Sequence, residues 1–184
     1  MAEIRDTTIS GVFEIFPRVF EDSRGFFFES FREDWLLDKG VKSKWIQDNQ
    51  SYSQKGTVRG LHFQTPPFAQ AKLVRVVQGS VLDVVVDLRK DSPTFGDSFS
   101  TVLDSKRHNA LYVPEGFAHG FSVLEDAIFV YKCSAYYHKE SEGGIKWDDP
   151  ALGIDWKLEN PIISKKDEQW EGMDRFMVKY NGGF

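Results

Sequence analysis

Cysteine is almost missing from this chain: Cys133 is the only one among 184 residues. No intramolecular disulfide can form, and a reducing compartment fits. Cys133 itself reads as a small buried residue, since the sequence offers no dedicated base to make it a nucleophile. Also missing is any apolar run approaching the ~20 residues of a membrane span, so no membrane partner is expected. The start, Met1-Ala2-Glu3-Ile4-Arg5-Asp6, has no apolar signal core, and a cytoplasmic location is expected. Positive charge is in deficit: 23 Lys and Arg stand against 28 Asp and Glu, a formal charge of −5. That argues against nucleic acid as the main partner, while leaving room for a local basic pocket that takes a phosphorylated ligand. Repeats, linkers and low-complexity tracts are absent too, and the chain reads as one domain over 1–184. A chain of this length buries roughly two thirds of its unfolded surface.

What is present is a β-rich pattern. Residues 4–20 alternate loosely through Val12, Phe13, Ile15, Phe16, Val19 and Phe20, with a break at Pro17. Glu21 to Gly25 is a polar turn by composition. Phe26 to Phe31 then reads as a strand covered on both faces, by this chain's core or by another subunit. Arg32 to Lys39 holds Trp35, Leu36 and Leu37 and ends at Gly40, which predicts a short helix with a glycine stop. Lys72 to Leu88 is the strongest strand signal: two Val-rich runs meet at Gln78-Gly79-Ser80 and predict a hairpin. Further strands are expected over 98–103, 111–113, 119–124 and 127–137. After Glu140 the pattern turns irregular, anchored by Trp147, Trp156 and Trp170. Short strands at this spacing predict an all-β sandwich, jelly roll or small barrel.

The densest polar signal lies inside two strand-like runs, Gln47 to Ser53 and Gly56 to Gln64. Amides, hydroxyls, Arg59 and His62 are poor core material, because a buried polar group without a partner costs a few kcal/mol. Their density predicts a lined concave site. Gln47, Asn49 and Ser51 share one face of a strand, since side chains alternate with period two. Arg59 and His62 have opposite parity, so bringing both to one site needs a bulge near Gly60 or an arginine that reaches around an edge. Several residues carry a plain reading beside a functional one. His62 is a half-buried histidine or a base, and Lys72 a surface lysine or a fixed charge. Tyr131 and Tyr137, six apart, share a face of a regular strand for packing or for chemistry. Ser164-x-x-Asp167 has the spacing of a helix capping box.

These residues, taken with their neighbours, resemble the dTDP-4-dehydrorhamnose 3,5-epimerase family. The resemblance runs nearly end to end. It takes in Gly11 to Phe31, Gln47 to Gln64, Lys72 to Val77 with Leu88-Arg89, Tyr112 to Gly120, and Gly144 to Trp156. Pro114-Glu115-Gly116-Phe117-Ala118-His119 also matches the Pro-x-Gly-x-x-His signature of the second cupin motif. The resemblance implies a cupin-like jelly roll with a few short helices, mostly towards the C-terminus. It implies inversion of C3 and C5 of a dTDP-4-keto-6-deoxyhexose through an enolate, with no cofactor.

The roles it implies are chemically consistent. Protons α to a ketone are weakly acidic, and a positioned imidazole suits their removal. His62 becomes that base and Asp167 its partner, holding its orientation. Tyr131 becomes the acid on the opposite face, since a phenol with an ordinary pKa of about 10 stays protonated at neutral pH. Lys72 becomes the charge beside the C4 oxygen as the enolate forms. Arg59 and Arg24 serve the diphosphate, which suits guanidinium forks. Tyr137 stacks on the thymine, and Glu29, Gln47, Asn49, His119 and Glu142 complete the substrate contacts. Metal-binding cupins usually supply a His-x-His pair where this chain has His62-Phe63-Gln64, so no metal site is expected. The family also implies a homodimer that exchanges N-terminal strands, with Arg24 and Glu29 reaching the other subunit's nucleotide. Two rivals stand beside this reading: a relative that inverts one centre or shifts the ketone, and a non-catalytic sugar-binding jelly roll.

Overall fold

Two long strands organise the protein, whose computed structural model describes residues 2–184. The strands are β1 (Glu3–Asp6), β2 (Phe13–Phe16), β3 (Phe20–Asp22), β4 (Gly25–Phe27), β5 (Gln47–Ser53), β6 (Val58–Gln64), β7 (Lys72–Asp87), β8 (Ser98–Asp104), β9 (Ala110–Val113), β10 (Phe117–Cys133) and β11 (Glu142–Gly144). The α-helices are α1 (Glu33–Leu37) and α2 (Met173–Lys179), with 3-10 turns at Lys139–Ser141 and Asp167–Gln169. The mainly β expectation holds, and three of these four helical segments lie past residue 138. No helix among the described residues is long and apolar enough to cross a membrane.

The long strands β7 and β10 pair antiparallel along nearly their whole length. Their first and second halves belong to two different layers. One layer is β8, the end of β7, the start of β10, β6 and β11; the other is β1, β2, β9, the start of β7, the end of β10 and β5. Between the layers lies a core of Val74, Val76, Val81, Val85, Leu103, Phe117, Phe121, Val123 and Phe129. Two outer faces are covered differently. The C-terminal segment lays Ile145, Trp156, Met173 and Phe176 over Val58, Phe63, Leu82 and Val84. Trp35 and Leu36 of α1 cover Phe13, Ile15, Leu73 and Tyr112. This is a cupin-like roll.

The hairpin expected at Gln78–Ser80 is not formed. Both Val-rich runs belong to one 16-residue strand, because each takes β10 rather than the other run as its partner. Gly79 makes the change of layer possible. It has φ +73°, and a Cβ there would lie 2.1 Å from the Asp126 carbonyl oxygen. The register shifts between Val123 and Phe129 opposite this point mark a bulged corner. The inward parity changes across it, from Val74 and Val76 to Val81 and Val85. The strands expected over 119–124 and 127–137 are likewise one strand, and it ends at Cys133.

The aromatic strand expected over Phe26–Phe31 is also corrected. Only Gly25–Phe27 is strand, paired with β3 in a two-stranded sheet separate from the main one. Within this chain its aromatics are not covered: Phe20 is 49%, Phe26 60% and Phe27 66% exposed. Phe26 and Phe28 lean on His108, with ring centroids 4.6 Å away in each case. The short helix and its stop are present. Gly40, at φ +79°, closes α1 by donating its N–H to the Leu37 carbonyl at 2.9 Å.

Candidate active site

A bulge in β6 aims the central residues inward. His62 lies opposite His119 of β10, and Arg59 lies opposite Phe121, so β6 spends one residue more than β10 between these pairs. The extra residue falls at Gly60, where φ is +130° and a Cβ would meet the Gly120 Cα at 2.6 Å. Val58, Leu61 and Phe63 therefore pack outward into one cluster. Arg59 and His62 both turn to the opposite face despite their opposite parity, His62 into the cavity lining and Arg59 to an exposed position outside it. Arg59 donates from Nε to the Ser53 hydroxyl at 2.9 Å, on the row that Gln47, Asn49 and Ser51 begin.

His62 is braced from the C-terminal segment. Ile162 is tied to β6 by two backbone bonds, the Val58 N–H donating to its carbonyl and its own N–H donating to the Gly56 carbonyl. Five residues later the buried Asp167 brings Oδ1 to 2.6 Å from His62 Nε2. The capping account is also half right. The Asp167 N–H donates to the Ser164 hydroxyl at 3.1 Å, while the Asp167 carboxylate goes to the histidine. Burial pushes the Asp167 carboxyl upward. The hydrogen bond and charge of His62, with the Gly60 N–H and the Ser164 hydroxyl, outweigh that and hold it below its ordinary value.

The opposite layer contributes a facing row. Cys133 lies between Gln47 on β5 and Lys72 on β7, and Tyr131 between Asn49 and Val74. Asn49 donates to the Cys133 sulfur at 3.5 Å, and Gln47 donates to the Asn49 side-chain oxygen at 3.0 Å. Together with His62 and Glu142 these groups enclose a cavity of about 320 Å³. Burial lowers the Lys72 pKa, and the negative fields of Cys133, Asp83 and Glu142 pull it part of the way back. Burial raises the Tyr131 pKa, as do Cys133 and Glu142, against the pull of Arg59. The phenol therefore stays protonated well beyond neutral pH. Cys133 is buried as expected, and burial raises its thiol too.

Tyr137 reaches the same cavity by another route than the shared strand face, because β10 stops at Cys133. A loop carries it there. Its N–H donates to the Gln47 side-chain oxygen at 3.0 Å and its hydroxyl to Glu142 at 2.9 Å. Glu142 also pairs with Lys166. Gln64 is the site residue that sequence reasoning missed. Its amide N–H groups donate to the Phe68 and Tyr136 carbonyls at 2.6 and 3.2 Å, and its oxygen accepts the His138 N–H at 2.7 Å. At the place of the second His in metal cupins, this chain has an amide that staples the Tyr137 loop to β6. In the sequence its one signal was its place two residues after His62, on the same face of a strand-like run.

Four expected substrate residues fall outside the cavity lining, the exposed Arg59 among them. His119 is buried behind it, with Nε2 at 2.9 and 3.0 Å from the two carboxylate oxygens of Asp83. Arg24 sits on the exposed β3–β4 turn and pairs with Asp22. Glu29 pairs with Arg32. Neither Arg24 nor Glu29 lines the His62 cavity of its own chain.

The arrangement suits proton transfer: a braced imidazole from one layer, a protonated phenol from the other, and a buried lysine side chain in the same cavity. Residues 6–175 match the family model described as dTDP-4-dehydrorhamnose 3,5-epimerase. A dTDP-4-dehydrorhamnose 3,5-epimerase from Shigella flexneri is 50% identical over 163 residues, which cover 88% of this chain and 90% of the relative. The crystal structure of a Legionella pneumophila dTDP-6-deoxy-D-glucose-3,5-epimerase, in complex with dTDP-4-keto-L-rhamnose, superposes with a TM-score of 0.93. It is 42% identical and covers 97% of this chain and 96% of its own. A 3'-monoepimerase from Streptomyces bikiniensis in complex with dTDP-quinovose is 34% identical, with a TM-score of 0.88 and coverage of 97% and 91%. The cupin-like roll, the inward-facing His62 and these matches lead to one conclusion: the chain belongs to the dTDP-4-dehydrorhamnose 3,5-epimerase family of isomerases.

Proposed function

We propose that this protein converts dTDP-4-dehydro-6-deoxy-D-glucose to dTDP-4-dehydro-L-rhamnose by inverting C3 and C5. The observation that carries this reading is the pairing of acid and base from facing layers around one cavity. His62 takes the proton from a carbon next to the ketone, and the bonding electrons move onto the C4 oxygen. Lys72 offsets the negative charge that grows there. Tyr131 delivers a proton to the same carbon from the other side, and solvent restores both side chains. The ketone acidifies C3 and C5 alike, so the sequence of steps balances without an oxidant or reductant. Arg59 serves the diphosphate, Tyr137 the thymine, and Gln47, Asn49 and Glu142 the rest of the substrate. A nucleotide-sugar substrate and a single unpaired cysteine support a cytoplasmic location.

The decisive experiment is proton NMR of the product formed from the 4-keto substrate in deuterated water. Deuterium at both C3 and C5, each inverted, is expected. Deuterium and inversion at one carbon only would make the protein a monoepimerase, and no exchange at all would leave a binding module.

The assembly we propose is a homodimer that exchanges N-terminal strands. Exposed Phe20, Phe26 and Phe27 on the hairpin that carries Arg24 support it, as does the distance of Arg24 and Glu29 from their own cavity. Large exposed apolar patches commonly mark interfaces. Mixing Arg24→Ala chains with His62→Ala chains should restore part of the activity, because one hybrid site then carries neither lesion. Verified heterodimers without rescue, or a monomer by sedimentation, would sink the exchange.

A further inference from the structure

We propose that Trp170 is a positioning residue for the His62–Asp167 pair, its indole N–H holding the very oxygen that braces the imidazole. The inference rests on the epimerase reading for its consequence in catalysis, though not for its geometry. Trp170 follows directly on the 3-10 turn that presents Asp167. Its Nε1–H donates to Asp167 Oδ1 at 3.3 Å, the same oxygen that lies 2.6 Å from His62 Nε2. The indole meets the His62 ring edge to face, with centroids 6.3 Å apart and planes at 68°.

Gly144 lets the indole come this close. It is the β11 partner of His62, and a Cβ on it would lie 2.5 Å from Trp170 Cδ2 and Cε2. The indole thus lies against the backbone beside the histidine, and Lys166 Nζ sits 5.9 Å from the ring centroid. An aromatic ring that only filled space would not need its one polar atom turned to a carboxylate already engaged elsewhere. A donor on an acceptor oxygen disperses its negative charge and weakens its hold on a second proton. Trp170 therefore does two things: it fixes the carboxylate oxygen against the imidazole, and it moderates how strongly Asp167 retains the proton on His62. A base that must take a proton and later release it is served by such moderation.

The other groups facing this pair are accounted for. Glu142 of β11 faces His62 and is paired with Lys166. His119 of β10, opposite His62, is committed to Asp83. Lys72, Tyr131 and Cys133 line the cavity beyond. Ser164 and the Gly60 N–H supply further hydrogen bonds to Asp167.

The test is histidine NMR titration of the full-length protein, with the His62 signal assigned by its loss in His62→Ala. Trp170→Phe keeps the ring and removes the N–H. Gly144→Ala keeps the N–H and pushes the indole off the strand. Both should move the His62 titration to higher pH, because each takes a donor away from the oxygen that braces the imidazole. The acidic limb of kcat/KM should move with it, and in Trp170→Phe KM should change less than kcat. A His62 titration unmoved in both variants overturns the inference and leaves Trp170 as packing. A titration that moves without the acidic limb upholds the inference, and shows instead that His62 is not the catalytic base.

Discussion

Tyr131→Phe should exchange the C3 and C5 hydrogens of the substrate with deuterated solvent while giving little inverted product. Inversion needs removal from one side and delivery from the other, which one group cannot ordinarily do alone. His62 and Tyr131 come from facing layers of the roll, and they line the same cavity. Without the phenol, His62 still forms the enolate and returns a proton only to the side it came from. His62→Ala should lose exchange and inversion together, by the ~10²–10⁴ typical of a lost acid–base group. Time-resolved proton NMR of both variants separates these outcomes. Inversion at the wild-type rate by Tyr131→Phe would mean that water or another side chain is the acid. Exchange persisting in His62→Ala would mean that another group is the base.

Lys72→Met should slow exchange and inversion by the same factor, because the enolate is common to removal and return. The loss of one preorganised charge or donor beside a developing oxyanion is typically about 10²–10³ in kcat. The position of Lys72 also sets a pH dependence. Burial lowers its pKa, so the ammonium disappears at a lower pH than that of a solvent-exposed lysine. Burial raises Tyr131 in the opposite sense, as already described, so its proton is lost later. The alkaline fall of kcat should therefore be set first by Lys72. A pH–rate profile of wild type should show that fall, and the profile of Lys72→Met, at its lower level, should lack it. An unchanged alkaline limb in the variant would remove Lys72 from the role of charged stabiliser. Loss of inversion with exchange intact would reassign it to the second half of the reaction.

Local pattern settled a good deal of this protein. Alternation in Gln47 to Ser53 placed Gln47, Asn49 and Ser51 on one face, and that face is the inward one. The glycine after the Trp35-Leu36-Leu37 run marked the end of α1. Parity asked for a bulge near Gly60 or an arginine reaching around an edge, and a bulge at Gly60 is present. These features depend on covalent geometry and on nearest neighbours, which a linear reading contains. The pairing of Asp167 with His62, and the place of Lys72 and Tyr131 in the same cavity, were legible only through the resemblance, because nothing in 105 residues of separation ties Asp167 to His62.

Tertiary structure decided the rest by the choice of partner. Two Val-rich runs around a glycine satisfy a hairpin and a bulged corner equally well in local terms. They became one strand because β10 offered both of them an edge across the roll. The same choice ended β10 at Cys133 and left Tyr137 to a loop, which Gln64 then holds in place. An amide with three backbone partners, and an indole whose N–H finds a carboxylate, look like ordinary polar and aromatic residues in a sequence. Alternation is written in the chain because each peptide turns its side chain over from the last. Pairing is not, because many edges compete for each strand and burial of the whole roll selects among them.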